Sequence, residues 1–208
     1  MSNAIPMLHP VTAETVQRYA VNSGMLVTGL SLEGIKDAAS FLAKVTATDF
    51  AANILGATSG NTTISENRQT WSPDHNGLRI PYKGSTYLDT AQPSIKATLV
   101  EMTPGNIKLM SGAADVPGDG TQAVTIEPRA TFQDGDYIDS VVWFTNYGTR
   151  GIIGACIENA LCVSGLNWSV DDKKVATCNV EFKAHSATPV MSDNLPIKYF
   201  IFLNEAQS

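Results

Sequence analysis

Over most of the second half of the chain, apolar and polar residues alternate with period two, and this predicts a mainly β protein. Ile95, Ala97 and Leu99 alternate with Lys96 and Thr98, the mark of a strand with one buried face. A hairpin is predicted at 166–184. Leu166, Trp168 and Val170 lead into the turn Asp171-Asp172-Lys173-Lys174; Ala176, Cys178, Val180, Phe182 and Ala184 then return on one face, with Thr177, Asn179, Glu181 and Lys183 on the other. Tyr137–Tyr147 reads as a strand apolar on both faces, which implies burial on one face and a neighbour on the other. Ile197–Leu203 makes a final strand, and Gly24-Met-Leu-Val-Thr28 a short early one.

Helical spacing is confined to two places. Ser31 is expected to cap a helix that carries Leu32, Ile35, Ala38, Ala39 and Leu42. Thr103-Pro104 opens a helix of one to two turns, because Thr caps and Pro suits the first helical position. The remainder is irregular. Residues 1–24 read as a polar, Pro-punctuated arm with Val11, Val16, Tyr19 and Val21 spaced along it. Residues 56–80 read as a long polar loop or extended hairpin, with Gly56, Gly60, Pro73 and the Asn76-Gly77 turn; a stretch of that length inside a compact domain is usually functional. The segment 111–122 is a Gly/Pro/Asp loop, and Gly148–Gly154 is predicted to be a turn. No repeat or linker divides the chain, so residues 1–208 form one domain.

Composition narrows the function. Charged residues make up only 16% of the 208, against about 25% in a typical soluble domain, and Thr, Ser and Asn take their place. Such a surface suits a protein that spends its life against copies of itself or other partners. Residues 1–100 balance, so the whole net charge of −6 lies in 101–208. Most of it is concentrated in 115–139, where Asp115, Asp119, Glu127, Asp134, Asp136 and Asp139 face Arg129 alone. That segment is either a solvated acidic loop or a surface that keeps a polyanion from sticking, and a basic nucleic-acid footprint is absent.

Chemistry is thinly represented. His9, His75 and His185 are isolated from one another and from ligand-spaced cysteines. Asp134-Gly-Asp136-Tyr-Ile-Asp139 lacks the length and terminal Glu of a calcium loop. There is no nucleophile elbow, no phosphate-binding lysine motif and no cofactor fingerprint, so neither enzyme activity nor a cofactor is expected. Cys156, Cys162 and Cys178 form no CxxC pair, and Cys178 reads as a small buried hydrophobe. The sequons at Asn61 and Asn167 need a secretory route, and the first 25 residues lack a signal pattern. No apolar run reaches the ~18 residues that cross a membrane, so synthesis in a reducing cytoplasm is expected.

Three collinear blocks carry a resemblance. They are Ala52-Asn-Ile-Leu-Gly-Ala-Thr-Ser-Gly-Asn-Thr-Thr63 with Gly77–Gly84; Ala97-Thr-Leu-Val-Glu-Met-Thr-Pro-Gly-Asn-Ile-Lys-Leu109; and Ile157-Glu-Asn-Ala-Leu161 with Asp171–Ala176 and Val180-Glu-Phe-Lys-Ala-His185. In this order and spacing they resemble the major tail protein, or tail tube protein, of long-tailed bacteriophages, most like those of phages of Gram-positive bacteria. The resemblance spans roughly residues 50–185. It implies an all-β sandwich or barrel-like subunit with one or two short flanking helices. It also implies hexameric rings stacked into a hollow tube that conducts DNA to the host during ejection, with no active site. The implied partners are further copies of itself, the tape-measure protein, the tail terminator, the distal tail or baseplate proteins and passing DNA, with no membrane. The implied location is the virion tail.

Under that resemblance the strand at 137–147 suits a sheet continued across a subunit boundary, and the arm and the 56–80 loop suit contacts between rings. Asp134, Asp136, Asp139 and Glu181 are the candidates to line the bore. Thr58, Asn61, Ile64, Arg68, Trp71 and Arg79 are the candidates for ring stacking, and Val11, Val16 and Tyr19 for arm contacts. A rival reading is a carbohydrate-binding β-sandwich at a tail tip, motivated by Trp71, Trp143, Trp168 and the many Asn and Asp side chains.

Overall fold

The computed structural model describes residues 17–74, 80, 82–117, 124–188 and 194–204. Strands dominate. In chain order β1 (Ala20–Thr28) leads to α1 (Ala38–Val45), a 3₁₀ turn at Thr48–Asn53 and β2 (Ile54–Ala57). The chain then runs out through β3 (Thr63–Ser65) and β4 (Arg68–Trp71) and back through β5 (Tyr87–Ala91) and β6 (Ser94–Leu99). α2 (Pro104–Met110) precedes the short strands β7 (Ala114–Asp115) and β8 (Glu127–Pro128). A 3₁₀ turn at Asp134–Asp136 follows, and then β9 (Ile138–Tyr147), β10 (Gly151–Cys162), β11 (Trp168–Ser169), β12 (Thr177–Lys183) and β13 (Ile197–Leu203).

All pairings are antiparallel, and they make two layers that share one strand. The first layer runs β2-β1-β9-β10-β13; the second runs β3-β6-β12, with β11 also on β12. β10 serves both: residues 151–157 pair with β13, whereas Leu161 and Cys162 pair with Lys183 and Phe182 of β12. The strand passes from one layer to the other about Asn159, which has φ 46° while the β9 register is the same on either side of it, at Glu158 and Ala160. There Asn159 Nδ2 donates to the His185 carbonyl at 3.3 Å. On the opposite side the layers are tied by a Thr58–Leu99 bridge and by Ser59 N–H donating to Thr98 O at 2.8 Å.

Burial follows from this layering. Leu26, Leu55, Val141 and Ile157 of the first layer meet Ile95, Leu99, Cys178, Val180 and Phe182 of the second, with Met110 of α2 against them. The outer face of the first layer is covered by α1: Phe41, Ala38 and Val45 pack on Val27, Val142, Phe144, Ile152 and Cys156, flanked by Phe200 and Phe202. The result is a helix–sheet–sheet stack, a β-sandwich with short flanking helices.

Four expectations change against this frame. The strand at 137–147 is apolar on both faces because Val141 enters the interlayer core and Val142 and Phe144 lie under α1. Its neighbours on both edges, β1 and β10, belong to the same chain, so it does not continue across a subunit boundary. The first helix begins at Ala38 rather than after Ser31. Asp37 is its cap, with Oδ1 accepting from Ser40 N–H at 2.7 Å and Ser40 Oγ accepting in return from Asp37 N–H at 3.2 Å, a reciprocal capping box. Ser31 instead accepts from Glu33 N–H at 3.2 Å in a loop, while Leu32 and Ile35 pack against the α1 core without being helical. Gly148–Gly154 is a turn only as far as Arg150, because Gly151 already begins the longest strand.

The last residues of the predicted 1–24 arm belong to the sheet, since β1 begins at Ala20. Its register slips between Val21 and Met25, and Gly24 sits in the slip with φ 78°; a Cβ there would run into the Trp143 indole. Glycine is required at this position both by the left-handed backbone and by the close approach. Thr103 caps α2 as expected, with Oγ1 accepting from Asn106 N–H at 3.1 Å and Pro104 at the first helical position.

Candidate functional site

The acidic segment is organised by one cation. Arg129 follows β8, whose pairing with β7 places Glu127 opposite Asp115. Its Nη2 reaches Asp136 Oδ1 at 2.5 Å and its Nε lies 3.1 Å from Asp115 Oδ1. The Asp136 side chain is only 6% exposed, and its second oxygen accepts from Gln133 N–H at 2.7 Å. The Arg129–Asp136 pair therefore braces the 3₁₀ turn that leads into β9. Asp134 and Asp139 are exposed, and Asp139 also lines a cavity of about 330 Å³ with Glu33, Glu158 and Lys198.

Removing one member of a buried ion pair strands the other, at a cost of about 3 kcal/mol. Arg129→Met is expected to lose about that much stability in urea unfolding, and adding Asp136→Asn should recover part of it. A loss below about 1 kcal/mol would mean that the pair is not a brace.

Glu181 lies on the other sheet. It sits on the outward face of β12, opposite Lys96 of β6, with Nζ–Oε2 at 3.3 Å. Beside it Thr98 Oγ1 donates to Asn179 Oδ1 at 2.8 Å, and these four residues with Asn61 line a shallow depression of about 280 Å³. This face is polar, with Lys183 two residues beyond Glu181 on the same side of β12. Of the four bore candidates, then, Asp136 and Glu181 are paired within the chain, while Asp134 and Asp139 stand exposed.

The ring-stacking candidates divide similarly. Thr58 Oγ1 donates to Gly24 O at 3.2 Å, and Ile64 pairs with Ile95 and packs on the interlayer core; both belong to the body. Asn61 is exposed beside the polar face. Arg68 and Trp71 lie on a two-stranded ribbon, β4 with β5, that continues β3 and β6 beyond the sandwich. Arg79 lies outside the described residues, as do Val11 and Val16. Tyr19 is exposed, and its carbonyl accepts from Gly148 N–H at 2.8 Å.

The ribbon leaves the body at Asn67, which has φ 42°. Its base is tied down by Glu66, which pairs with Arg68 and accepts from Tyr199 Oη at 3.0 Å. The Arg68 guanidinium and then the Tyr199 hydroxyl hold the Glu66 carboxyl below its usual range, so the tie is intact at neutral pH. Along the ribbon Trp71 is 58% exposed and Tyr87 55%, with their rings tilted by 35° and centroids 5.9 Å apart. A two-stranded ribbon is marginal alone in water, and exposed aromatics on one mark a contact surface.

Arg129, Tyr87 and Tyr199 are the site residues that sequence reasoning missed. Two of them left a signal: Arg129 is the lone cation in an acidic run, and Tyr199 belongs to a strand apolar on both faces. Among the described residues no group of three or more His, Cys, Asp or Glu side chains is placed to hold a metal. The three cysteines are free and buried; burial, helped by Glu158, pushes the Cys156 thiol up to about 11, which makes it a poor nucleophile at neutral pH. No helix among the described residues is long and apolar enough to cross a membrane. No protein-family model matches the chain, and no curated protein matches it significantly.

Proposed function

We propose that this chain is a virion structural protein, a tail tube subunit whose copies form hexameric rings that stack into the hollow tail of a long-tailed bacteriophage. The observation that carries the reading is a body with a finished core that leaves large apolar side chains uncovered in places a neighbour would reach. Trp71 and Tyr87 sit on the projecting ribbon, and Tyr199, Ile201 and Leu203 lie along an unshared sheet edge, each between 47% and 58% exposed. Contiguous apolar surface of this kind marks an interaction site, and neighbours above and beside a stacked subunit cover it. The low charge of the chain fits the same picture.

Under this reading the ribbon reaches the next ring. Asp134 and Asp139 are the acids free to repel phosphate from a bore, whereas Asp136 braces and Glu181 is matched by Lys96. The tube is built around a tape-measure protein and capped by terminator and distal tail proteins, and the chain itself carries no catalytic site. A second reading, a carbohydrate-binding module at a tail tip, is favoured by one feature: the exposed Trp71–Tyr87 pair offers a platform for a sugar ring.

Negative-stain microscopy of the concentrated protein, run beside a glycan-binding screen, separates the two. Hollow tubes without glycan affinity are expected; discrete particles that retain glycans through Trp71 would replace the first reading with the second.

A further inference from the structure

The two layers of the sandwich do not end together. β13 pairs along the first half of β10, and the register sets Tyr199 opposite Ala155, Ile201 opposite Ile153 and Leu203 opposite Gly151. These positions share the face of Ile157, which lies in the interlayer core. Tyr199, Ile201 and Leu203 therefore look toward the second layer, yet they are 58%, 52% and 47% exposed: the second layer does not extend over them.

The second layer has the converse overhang. β10 pairs with β12 only through Leu161 and Cys162, and β11 takes up the same edge of β12 further along, with Trp168 opposite Cys178. Cys178 is fully buried in the interlayer core, and its cross-strand neighbour Trp168 shares that face while 49% exposed. Leu166 and Val170, two residues to either side, are 41% and 71% exposed.

The β13 overhang thus presents core-side apolar surface in a row of three residues at period two, and the β11 overhang presents Trp168 on the core side with exposed Leu166 and Val170 flanking the strand. They lie at opposite ends of the line formed by β10 and β11, so one copy cannot bring its own two together. Among the described residues the outer edges of β13 and β11 have no strand partner either. Unpaired edges with apolar faces are templates for another strand.

We infer that the β13 overhang of one copy is covered by the β11 overhang of the next, with Leu166, Trp168 and Val170 seated on Tyr199, Ile201 and Leu203 so that each contact completes the sandwich. The contact is heterologous, with different patches on the two sides, and repeated contacts of that kind close into rings or extend as filaments. The occupant's entrance is the groove of about 520 Å³ between β13 and the ribbon, lined by Ile197, Tyr199, Leu88 and Arg68. The inference rests on the tube-subunit reading for its biological setting and on these two overhangs for its geometry.

Two variants test it, Ile201→Asp and Trp168→Asp, each purified as the full chain and checked for native circular dichroism. Should either fail to fold, Leu203→Asp or Val170→Asp, both at exposed positions, takes its place. Each variant keeps one overhang intact, so each alone should sediment as a monomer. An equimolar mixture should give a one-to-one dimer and nothing larger, with at least a tenfold loss of larger assemblies against wild type. Folded variants that assemble like wild type, a mixture that stays monomeric, a wild type that is itself monomeric, or a Trp168→Asp dimer formed through two β13 strands would each overturn the inference. If the mixture dimerises but wild-type assemblies are not tubes, the contact stands and the tube reading falls; tubes from both variants would mean the reverse.

Discussion

Phe41→Ala is expected to lower the unfolding free energy of the unassembled subunit by about 4 kcal/mol, the middle of the range for truncating a buried aromatic. Phe41 is fully buried and holds α1 to the outer face of the first layer. Its ring meets Phe144 edge-on with centroids 4.8 Å apart, and meets Phe200 and Phe202 at 5.5 Å each. Truncation removes three ring contacts at once and leaves a cavity between two regular elements, which cannot easily collapse into it. The neighbouring Leu42, on the same helix but 46% exposed, supplies the control, since Leu42→Ala should cost less than about 1 kcal/mol. Urea unfolding followed by circular dichroism measures both. A Phe41→Ala loss no larger than the Leu42→Ala loss would mean that α1 is not a structural layer.

Replacing residues 72–86 by Asn-Gly, which turns β4 directly into β5 through a two-residue hairpin loop, is expected to leave the fold intact and to weaken tube formation. The ribbon adds nothing to either core cluster: β4 is exposed throughout and β5 nearly so. Its base is attached through the Glu66 tie and through Gln92, whose N–H donates to Glu66 O at 2.9 Å. The thermal midpoint should therefore move by only a few degrees. Assembly should need a subunit concentration more than roughly tenfold higher, since each 1.4 kcal/mol of lost contact is a factor of ten. Light scattering against concentration reads this directly. Full-length tubes formed by the shortened chain at the wild-type concentration would remove the ribbon from the stacking contact.

Where one face of an element is buried and the other wet, the sequence could be read directly. β6 and β12 show clean period-two alternation because their outward faces carry Lys96, Thr98, Asn179 and Glu181 in water. The start of β10, Gly151–Gly154, reads as part of a turn for the opposite reason. The strand is enclosed over most of its length, so its burial has no alternation to display, and Gly151 and Gly154 look like punctuation. In the structure Gly154 is where a Cβ would strike Phe200 and the Trp143 backbone, so the residue that suggested a turn is one that lets three strands and a ring approach. Leu32 and Ile35 misled in another way: they point into the α1 core from a loop, at spacings that imitate a helix, and the capping pair Asp37–Ser40 was the better signal.

Part of the candidate site was legible for the same physical reasons. The projecting ribbon was visible as a polar stretch too long for an ordinary loop, but its return strand, Tyr87–Ala91, carries little periodicity because it is wet on both faces. The acidic run was visible as a count, whereas its pairing was not: that Asp136 is consumed by Arg129 depends on β7 and β8 meeting, which residue spacing does not reveal. The overhangs of β13 and β11 are invisible in sequence, where their residues read as ordinary core positions. Only the end of the opposing layer leaves them bare.

Copies of this chain are proposed to build a tube through surfaces its own fold leaves open. Electron cryo-microscopy of the wild-type protein at assembling concentration tests it most directly. The account predicts stacked rings of six subunits around an open channel, with Trp71 and Tyr87 buried between rings and Asp134 and Asp139 on the channel wall. Particles of a single copy with both aromatics in solvent would contradict it.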